Sequence, residues 1–283
     1  MQELRVFQSL WGMESLPGER SSWSLEEQLL GIARESFDGV NFEDDNPHAA
    51  RVVELARELG LDWSLTTFPS TVAELRTATD LVARLGPEGC DHVNLQPDVR
   101  PVTVLEGIPY VLGWLEAAEE SGVELFIETH RDRMTTDLHY TLQLIDAVPS
   151  MRLTADLSHF VVGREFRHPV GEEYEGQIMR ILDRTHAFHG RVASREQVQV
   201  QLAFPQQRPW VELFARWWEE GFRRWRARSG PDATLNFLVE LGPPSYAMTG
   251  PDGKELSDRW EEALELKRMV REIWDQSSRA ATN

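Results

Sequence analysis

The chain has 283 residues with 29 basic and 47 acidic side chains, so its formal net charge is −18 and its pI is near 4.9. Such an acidic surface disfavours nucleic acids and anionic membranes as partners, because both present phosphate groups. The apolar fraction of 41% excludes wholesale disorder.

The predicted elements alternate along the whole chain, with short apolar segments followed by amphipathic stretches. Eight strands are expected to start near Leu4, Asp38, Leu61, Asp91, Val123, Arg152, Thr185 and Thr234. Eight strand–helix units in this length predict a (β/α)8 TIM barrel, with a single domain over residues 1–283. An open doubly wound sheet is disfavoured, since the segment 11–15 after the first strand lacks the glycines of a dinucleotide-binding loop.

Several helices carry start signals in the sequence. Ser24 and Thr71 each precede a glutamate by three residues, the spacing of a capping box. Asn46 before Pro47 predicts another N-cap. Later helices are expected over 103–120, 136–147, 172–183, 210–228 and 256–276.

The compartment can be predicted from three absences in the sequence. The single cysteine, Cys90, cannot form an intrachain disulfide, and the first ten residues lack a signal-peptide pattern. No run of 18 apolar residues occurs, so no transmembrane helix is expected. We therefore expect a cytoplasmic protein.

Polar residues end the last four predicted strands. In order they are Glu128, Asp156, His189 and Glu240. The carboxyl ends of barrel strands meet at one mouth, where three carboxylates would repel one another unless a cation neutralised them. Oxygen-rich ligation with one nitrogen suits Mn²⁺, our first expectation, or Mg²⁺, and also Co²⁺, Fe²⁺ or Zn²⁺.

The segments IETH, ADLSH, FHGRV and VELGPP at these strand ends resemble the xylose isomerase-like TIM-barrel superfamily, which includes sugar isomerases and epimerases. The resemblance implies one divalent metal ion held by Glu128, Asp156, His189 and Glu240. It also implies that Glu128 and Glu240 are the catalytic acid and base. His159, three residues after the aspartate, would contact the substrate, together with an arginine that is either Arg191 or Arg195.

Three further residues are candidates for substrate binding. His130 follows Glu128 closely, Glu43 ends the second strand, and Trp11 lies just past the first. The segment 194–209 is a candidate lid over the site, which 163–173 could join. The GPPSY segment at 242–246 and the basic segment 129–133 depart from the pattern of the epimerases and predict a different substrate.

The resemblance implies a metal-dependent sugar or ketose isomerase or epimerase in carbohydrate metabolism, working by proton transfer through an enediolate. The alternative is a metal-dependent dehydratase or lyase acting on an inosose-like or dehydroshikimate-like ketone, and a non-enzymatic barrel is a further alternative. The type IV AP endonucleases of the superfamily need more ligands on the early strands, whose ends here carry Gln8, Phe42, Thr67 and Gln96. The expected partner is a small sugar or polyol, and a homodimer through the outer helices is left open.

Overall fold

Eight parallel strands close a barrel in chain order in the computed structural model, which describes residues 1–279. The first strand pairs with both the second and the last, which completes the closure. This confirms the predicted TIM barrel, and each strand begins within two residues of its expected start. The strands are β1 Glu3–Ser9, β2 Gly39–Glu43, β3 Asp62–Thr67, β4 Cys90–Leu95, β5 Leu125–Glu128, β6 Leu153–Ala155, β7 Thr185–Gly190 and β8 Thr234–Val239.

The helices between the strands form the outer layer. They are α1 Leu25–Arg34, α2 Ala49–Leu59, α3 Val72–Leu85, α4 Val104–Ser121, α5 Leu138–Ala147, α6 Ser158–Gly163, α7 Glu172–Leu182, α8 Arg208–Arg228 and α9 Arg259–Arg279. The short helix α6 directly after β6 was not expected from the sequence. The prediction of one domain over 1–283 includes residues 280–283, which lie outside the described residues.

Two of the three predicted helix starts have the expected geometry. Ser24 and Thr71 each accept a hydrogen bond from the backbone N–H three residues on, and the glutamate there returns one. The prediction for Asn46 was wrong. Helix α2 begins at Ala49, and the Asn46 side chain instead accepts a hydrogen bond from the backbone N–H of His48 at 2.8 Å. Asn46 and Pro47 therefore form a turn ahead of the helix.

Polar side chains of β2 to β5 hydrogen-bond to one another on the inward face of the barrel. Asn41 donates to the hydroxyls of Ser64 at 3.0 Å and Thr66 at 3.1 Å. Asn94 donates to the Glu128 carboxylate at 2.6 Å. Buried polar groups need such partners, so this network fixes the direction of Glu128 at the end of β5.

The loop after β1 is tied to the start of α9 by a buried arginine. Arg259, 2% exposed, donates to the carbonyls of Gly12, Glu14 and Ser15 and pairs with Glu255 at 2.9 Å. The loop after β1, which carries Trp11, is thereby held against the start of α9. No helix among residues 1–279 has the length and apolar composition that a bilayer crossing requires.

We expect Arg259→Ala to lower the free energy of unfolding by about 3–5 kcal/mol, since it leaves Glu255 and three carbonyls without their buried partner. Urea denaturation followed by circular dichroism measures this loss. Arg268→Ala, on the exposed side of the same helix, should change stability by less than about 0.5 kcal/mol. Equal effects of the two substitutions would contradict this role of Arg259.

Candidate metal centre

The four strand-end residues lie at one mouth of the barrel. Glu128 is the last residue of β5, and His189 is next to last in β7. Asp156 and Glu240 directly follow β6 and β8. All four are buried. They lie close together because parallel strands in one barrel have their carboxyl ends at the same mouth.

Glu128, His189 and Glu240 each point one ligand atom at the same small volume, and these atoms lie within 4.8 Å of one another. The Nδ1 atom of His189 is 3.5 Å from Glu128 Oε1 and 3.2 Å from Glu240 Oε2. Neither His189 Nδ1 nor Glu128 Oε1 has a partner with hydrogen-bond geometry among the described residues. Buried polar atoms rarely lack partners, so this trio fits a cation.

The charges of this trio shift its protonation. Burial alone would lower the pKa of His189, but the carboxylates of Glu128 and Glu240 outweigh it and raise that pKa to about 10. Burial alone would raise the pKa of Glu240, and the positive charges of His189 and Arg191 lower it instead. An extra positive charge is therefore favoured between these groups.

Asp156 is held differently from the other three residues. Its Oδ1 atom accepts from the Ser158 backbone N–H at 2.9 Å, while Oδ2 accepts from Arg191 at 2.9 Å. The same Arg191 nitrogen donates to Glu240 at 2.5 Å. Although burial opposes it, His159 and Arg191 hold the pKa of Asp156 well below its usual range.

The site as a whole suits one divalent ion. Three carboxylates and the guanidinium of Arg191 carry a net charge of −2 when His189 is neutral. A single divalent cation would neutralise this charge, which is costly to bury otherwise. The donor set of carboxylate oxygens with one imidazole nitrogen is compatible with Mn²⁺, Mg²⁺ or Zn²⁺, so the residues present fit a metal but do not select the ion.

The sequence left two arginines as alternatives for the substrate contact, and the structure places them apart. Arg191 is 1% exposed and lies among the strand-end residues. Arg195 is 38% exposed in its side chain and pairs with Glu165 at 2.8 Å and Glu196 at 3.4 Å. The structure therefore brings Arg191, and not Arg195, into contact with the candidate metal ligands.

His130 and His159 form a second group that shares Glu128. Their ring centroids are 3.9 Å apart. Burial lowers the pKa of His159, and burial with the neighbouring His159 lowers that of His130 to about 4, so both imidazoles are neutral at neutral pH. His130 Nδ1 lies 2.6 Å from the carbonyl of Arg131, which can only accept, so the lone pair is on Nε2.

Two residues at the site were missed by the sequence analysis. Asn94, the next-to-last residue of β4, orients Glu128 and was not singled out from the sequence. Tyr246 packs edge-on against Trp11 with ring centroids 5.0 Å apart, and the Arg191 guanidinium lies 4.8 Å from the Tyr246 centroid. Gly242 permits this packing, because a Cβ there would lie 2.2 Å from the Trp11 ring.

Glu43 and Trp11 line a cavity of about 510 Å³ on the β1–β2 side of the mouth. Glu14, Asp45 and His48 also line it, whereas none of the four strand-end residues does. Burial, reinforced by the charges of Asp45 and Glu240, raises the pKa of Glu43 to about 7. The cavity is thus adjacent to the candidate metal centre and strongly acidic.

The segment 194–209 is anchored across the mouth. The Gln199 side chain exchanges two hydrogen bonds with the backbone of Gly242, at 2.7 and 3.0 Å. The Arg195–Glu165 pair joins it to the segment 163–173. The two segments are therefore in contact with each other, and the first also contacts the loop after β8, whereas their role as a lid stays a prediction.

Comparisons with known proteins find a similar architecture among solved structures. No family model and no curated protein matches the chain. Among solved structures, an L-ribulose 3-epimerase matches with a TM-score of 0.65 at 14% identity, over 99% of this chain and 97% of that one. The present chain therefore has the fold of the xylose isomerase-like TIM barrels.

Two other similar structures widen the range of neighbours. A xylose isomerase-like TIM barrel protein from Mycobacterium smegmatis, in complex with magnesium, has a TM-score of 0.60 at 12% identity, over 95% of this chain and 97% of that one. A probable 3-DHS dehydratase from Bacillus anthracis has a TM-score of 0.57 at 11% identity, over 94% and 98% of the two chains. At these identities the likeness concerns the fold.

We expect Arg191→Gln to lower the unfolding free energy of the metal-free protein by about 3–5 kcal/mol, because Asp156 and Glu240 lose their buried cation. The same substitution should enlarge the rise in melting temperature caused by Mn²⁺, since three uncompensated carboxylates attract the ion more strongly. Thermal denaturation in EDTA and in MnCl₂ measures both effects.

Arg195→Gln is the matched control for this experiment, because its surface ion pair contributes at most about 1 kcal/mol. The interpretation fails if Arg191→Gln leaves both the EDTA melting temperature and the Mn²⁺ shift as they are in the wild type.

Glu43 should make stability depend on pH. With a folded pKa near 7 against an ordinary 4.5, the folded protein keeps a proton that the unfolded chain has lost. Its contribution to stability is complete below the lower value and is lost as pH rises through the higher one. We expect the free energy of unfolding of Glu43→Gln to exceed that of the wild type by about 1–2 kcal/mol near pH 8. This figure is reduced for the partial exposure of the side chain. Urea unfolding across pH tests this, and a variant advantage that does not shrink towards about pH 5 would refute it.

Proposed function

We propose that the protein is a divalent-metal-dependent isomerase or epimerase acting on a sugar or ketose. The observation that carries this proposal is the convergence of Glu128, His189 and Glu240 on one buried volume. The ligand atoms of two of them have no hydrogen-bond partner within residues 1–279. The fold-level likeness to epimerases supports it.

Glu128, His189 and Glu240 would hold the ion, with Asp156 joining them if Arg191 yields one of its two carboxylates. When bound, a divalent ion polarises a carbonyl and stabilises negative charge that develops beside it. Mn²⁺ is our preferred ion, in keeping with the oxygen-rich ligand set.

The chain's own carboxylates would move the proton. Glu128 is fixed through its Oε2 atom by Asn94, which would orient the carboxylate for proton transfer beside the ion. Glu240 approaches from β8 and is oriented by Arg191. Proton removal by one carboxylate and return by the other, through an enediolate, exchanges a hydrogen at the carbon next to the ketone.

His130 and His159 would contact the substrate rather than a second metal ion. The site has a net charge of −2, so a second divalent ion would leave a buried excess of positive charge. The neutral imidazoles can instead donate to or accept from substrate hydroxyls. Arg191, Trp11 and Glu43 complete the proposed substrate contacts. The segment 194–209, which is buried over residues 198–202, would limit water entry.

A metal-dependent dehydratase of an inosose-like or dehydroshikimate-like ketone is the second candidate. The observation that favours it is the imidazole pair 3.9 Å apart beside Glu128. His130, with its lone pair on Nε2, could take up the proton removed from the substrate and pass it to the departing hydroxyl, which leaves as water. Proton removal is common to both reactions, which then differ in whether the carbanion regains a proton or expels a β-hydroxyl.

The cellular setting is proposed from composition. The acidic charge of −18 supports a small-molecule substrate rather than a nucleic acid, and the single thiol supports a cytoplasmic location. A role in carbohydrate metabolism follows from the proposed substrate class, and the homodimer stays a prediction.

The test is hydrogen exchange. The Mn²⁺-loaded protein is incubated in D₂O with a panel of ketoses and inososes, and the products are followed by NMR and ultraviolet absorbance. Deuterium at a stereocentre without enone absorbance is expected for the epimerase, and enone absorbance for the dehydratase. Absence of both across the panel would contradict the proposal.

Glu240→Gln should reduce kcat by about 10²-fold or more while changing KM little, since it removes a proton-transfer group. Glu124→Gln, at the opposite end of β5, is the matched control and should retain full activity. An unaltered kcat in Glu240→Gln would contradict the assignment of Glu240 as acid or base.

A further inference from the structure

A basic residue lies beside the candidate centre without an acidic partner. Arg131 follows His130 in the loop after β5, is half-buried, and has no carboxylate within 4.0 Å of its guanidinium among residues 1–279. Its loop neighbour Arg133 does pair, with Asp98 at 3.5 Å and Asp132 at 3.7 Å. Acidic residues outnumber basic ones by 47 to 29, so the isolation of Arg131 is not due to a shortage of carboxylates.

The loop that carries Arg131 is fixed on both sides. Thr135 accepts from the His130 backbone N–H at 3.1 Å and donates to the Glu128 carbonyl at 2.5 Å. Arg100 holds Asp132 through hydrogen bonds of 2.9 and 3.0 Å. Arg131 therefore sits on a braced turn rather than on a free surface loop.

Tyr246 brings Arg131 together with the buried Arg191. The Arg131 guanidinium lies 4.9 Å from the Tyr246 ring centroid, and that of Arg191 lies 4.8 Å from the same centroid. The Nη1 group of Arg191 is buried without a hydrogen-bond partner among the described residues, although its Nη2 group binds Asp156 and Glu240. Two guanidinium groups thus share one aromatic support, and both have unused donors.

The neighbouring groups do not supply the missing negative charge. The carboxylates of Asp156 and Glu240 bind Arg191, at 2.9 and 2.5 Å. The acidic residues around Glu43 line the separate cavity on the β1–β2 side. Arg131 therefore adds a positive charge without a paired carboxylate on the β5 side of the mouth, whereas acidic residues line the β1–β2 side.

We infer that the substrate carries an anionic group, a carboxylate or a phosphate, which Arg131 binds beside Tyr246 at the β5 side of the mouth. This inference rests on the proposed function, since it names the substrate class of that site. A planar guanidinium with free N–H groups recognises either anion through paired hydrogen bonds. The Tyr246 ring keeps the Arg131 guanidinium in place, so little conformational freedom is lost on binding.

The test compares three polyols of similar size that differ in charge: gluconate, ribulose 5-phosphate and the neutral ketose fructose. Their affinities for the Mn²⁺-loaded protein are measured by isothermal titration calorimetry. We expect at least one of the two anions to bind about tenfold or more tightly than fructose, and its affinity to fall as NaCl is added. The stronger of gluconate and ribulose 5-phosphate identifies the anionic group.

Arg131→Gln should abolish the advantage of the anion while leaving the affinity for fructose unchanged. Arg131→Lys should restore part of it, because the charge returns without the paired donors. Arg133→Gln is the matched control in the same loop, and its affinities should equal those of the wild type. This pattern separates charge recognition from a general disturbance of the loop.

Three results would overturn the inference. Fructose could bind as tightly as both anions, Arg131→Gln could bind the anions as the wild type does, or neither anion could bind at millimolar concentration. Repeating the titrations in EDTA separates this inference from the proposed function. Anion binding that depends on Arg131 would support the inference even if the hydrogen-exchange experiment failed, and hydrogen exchange on neutral ketoses alone would support only the proposed function.

Discussion

The mouth of this barrel depends on the compensation of buried negative charge. Three carboxylates on β5, β6 and β8 are removed from water at one place, and Arg191 is the one fully buried guanidinium in contact with them within the part of the chain that the structure describes. Its contacts bridge Asp156 and Glu240, so the two carboxylates can remain ionised side by side. Glu128 is left to its Asn94 hydrogen bond and to the imidazole of His189. The arginine thus neutralises part of the charge and leaves a deficit that one divalent ion would fill.

The closed sheet is what makes this concentration of charge possible. The strand ends are far apart in the sequence, but closure in chain order places successive strand ends next to one another. The polar network across β2 to β5 then fixes Glu128 from inside the barrel. The Arg259 contacts fix the loop that carries Trp11 from outside. A rigid support on both sides is what a metal centre needs if its ligands are to keep their geometry.

The fold could be predicted from the sequence because its signals are local. Strand hydrophobicity and capping boxes act over a few residues, and the eight strand starts follow from them. The Asn46 prediction failed because a side chain that caps a helix can equally close a turn ahead of it, and only the packing of α2 decides between the two. Helix α6 was missed because six residues are too few to show periodicity.

The candidate site was predictable only in part, because it combines residues from distant segments. Strand order was enough to bring Glu128, Asp156, His189 and Glu240 to one mouth. The choice between Arg191 and Arg195 depends on the direction of each side chain after β7, which four residues of sequence separation do not determine. Tyr246 meets Arg131 only through the folded chain, and the basic segment 129–133 and the GPPSY segment were each noticed without any sign that they touch.

The contact between Tyr246 and Arg131 makes the distribution of charge around the mouth asymmetric. Glu14, Glu43 and Asp45 line the β1–β2 side, where burial and the neighbouring carboxylates raise the pKa of Glu43 to about 7. Arg131, which has no paired carboxylate among residues 1–279, lies in the loop after β5. A substrate lying across the candidate metal centre would therefore meet opposite charges at its two ends. A molecule with an anionic end and a hydroxyl-rich end would fit this field in one orientation only, since reversal would place its anion among the carboxylates. In the proposed reaction, orientation would fix which carbon faces Glu128 and which faces Glu240, so the charge asymmetry of the mouth would contribute to the choice of the carbon that exchanges its proton.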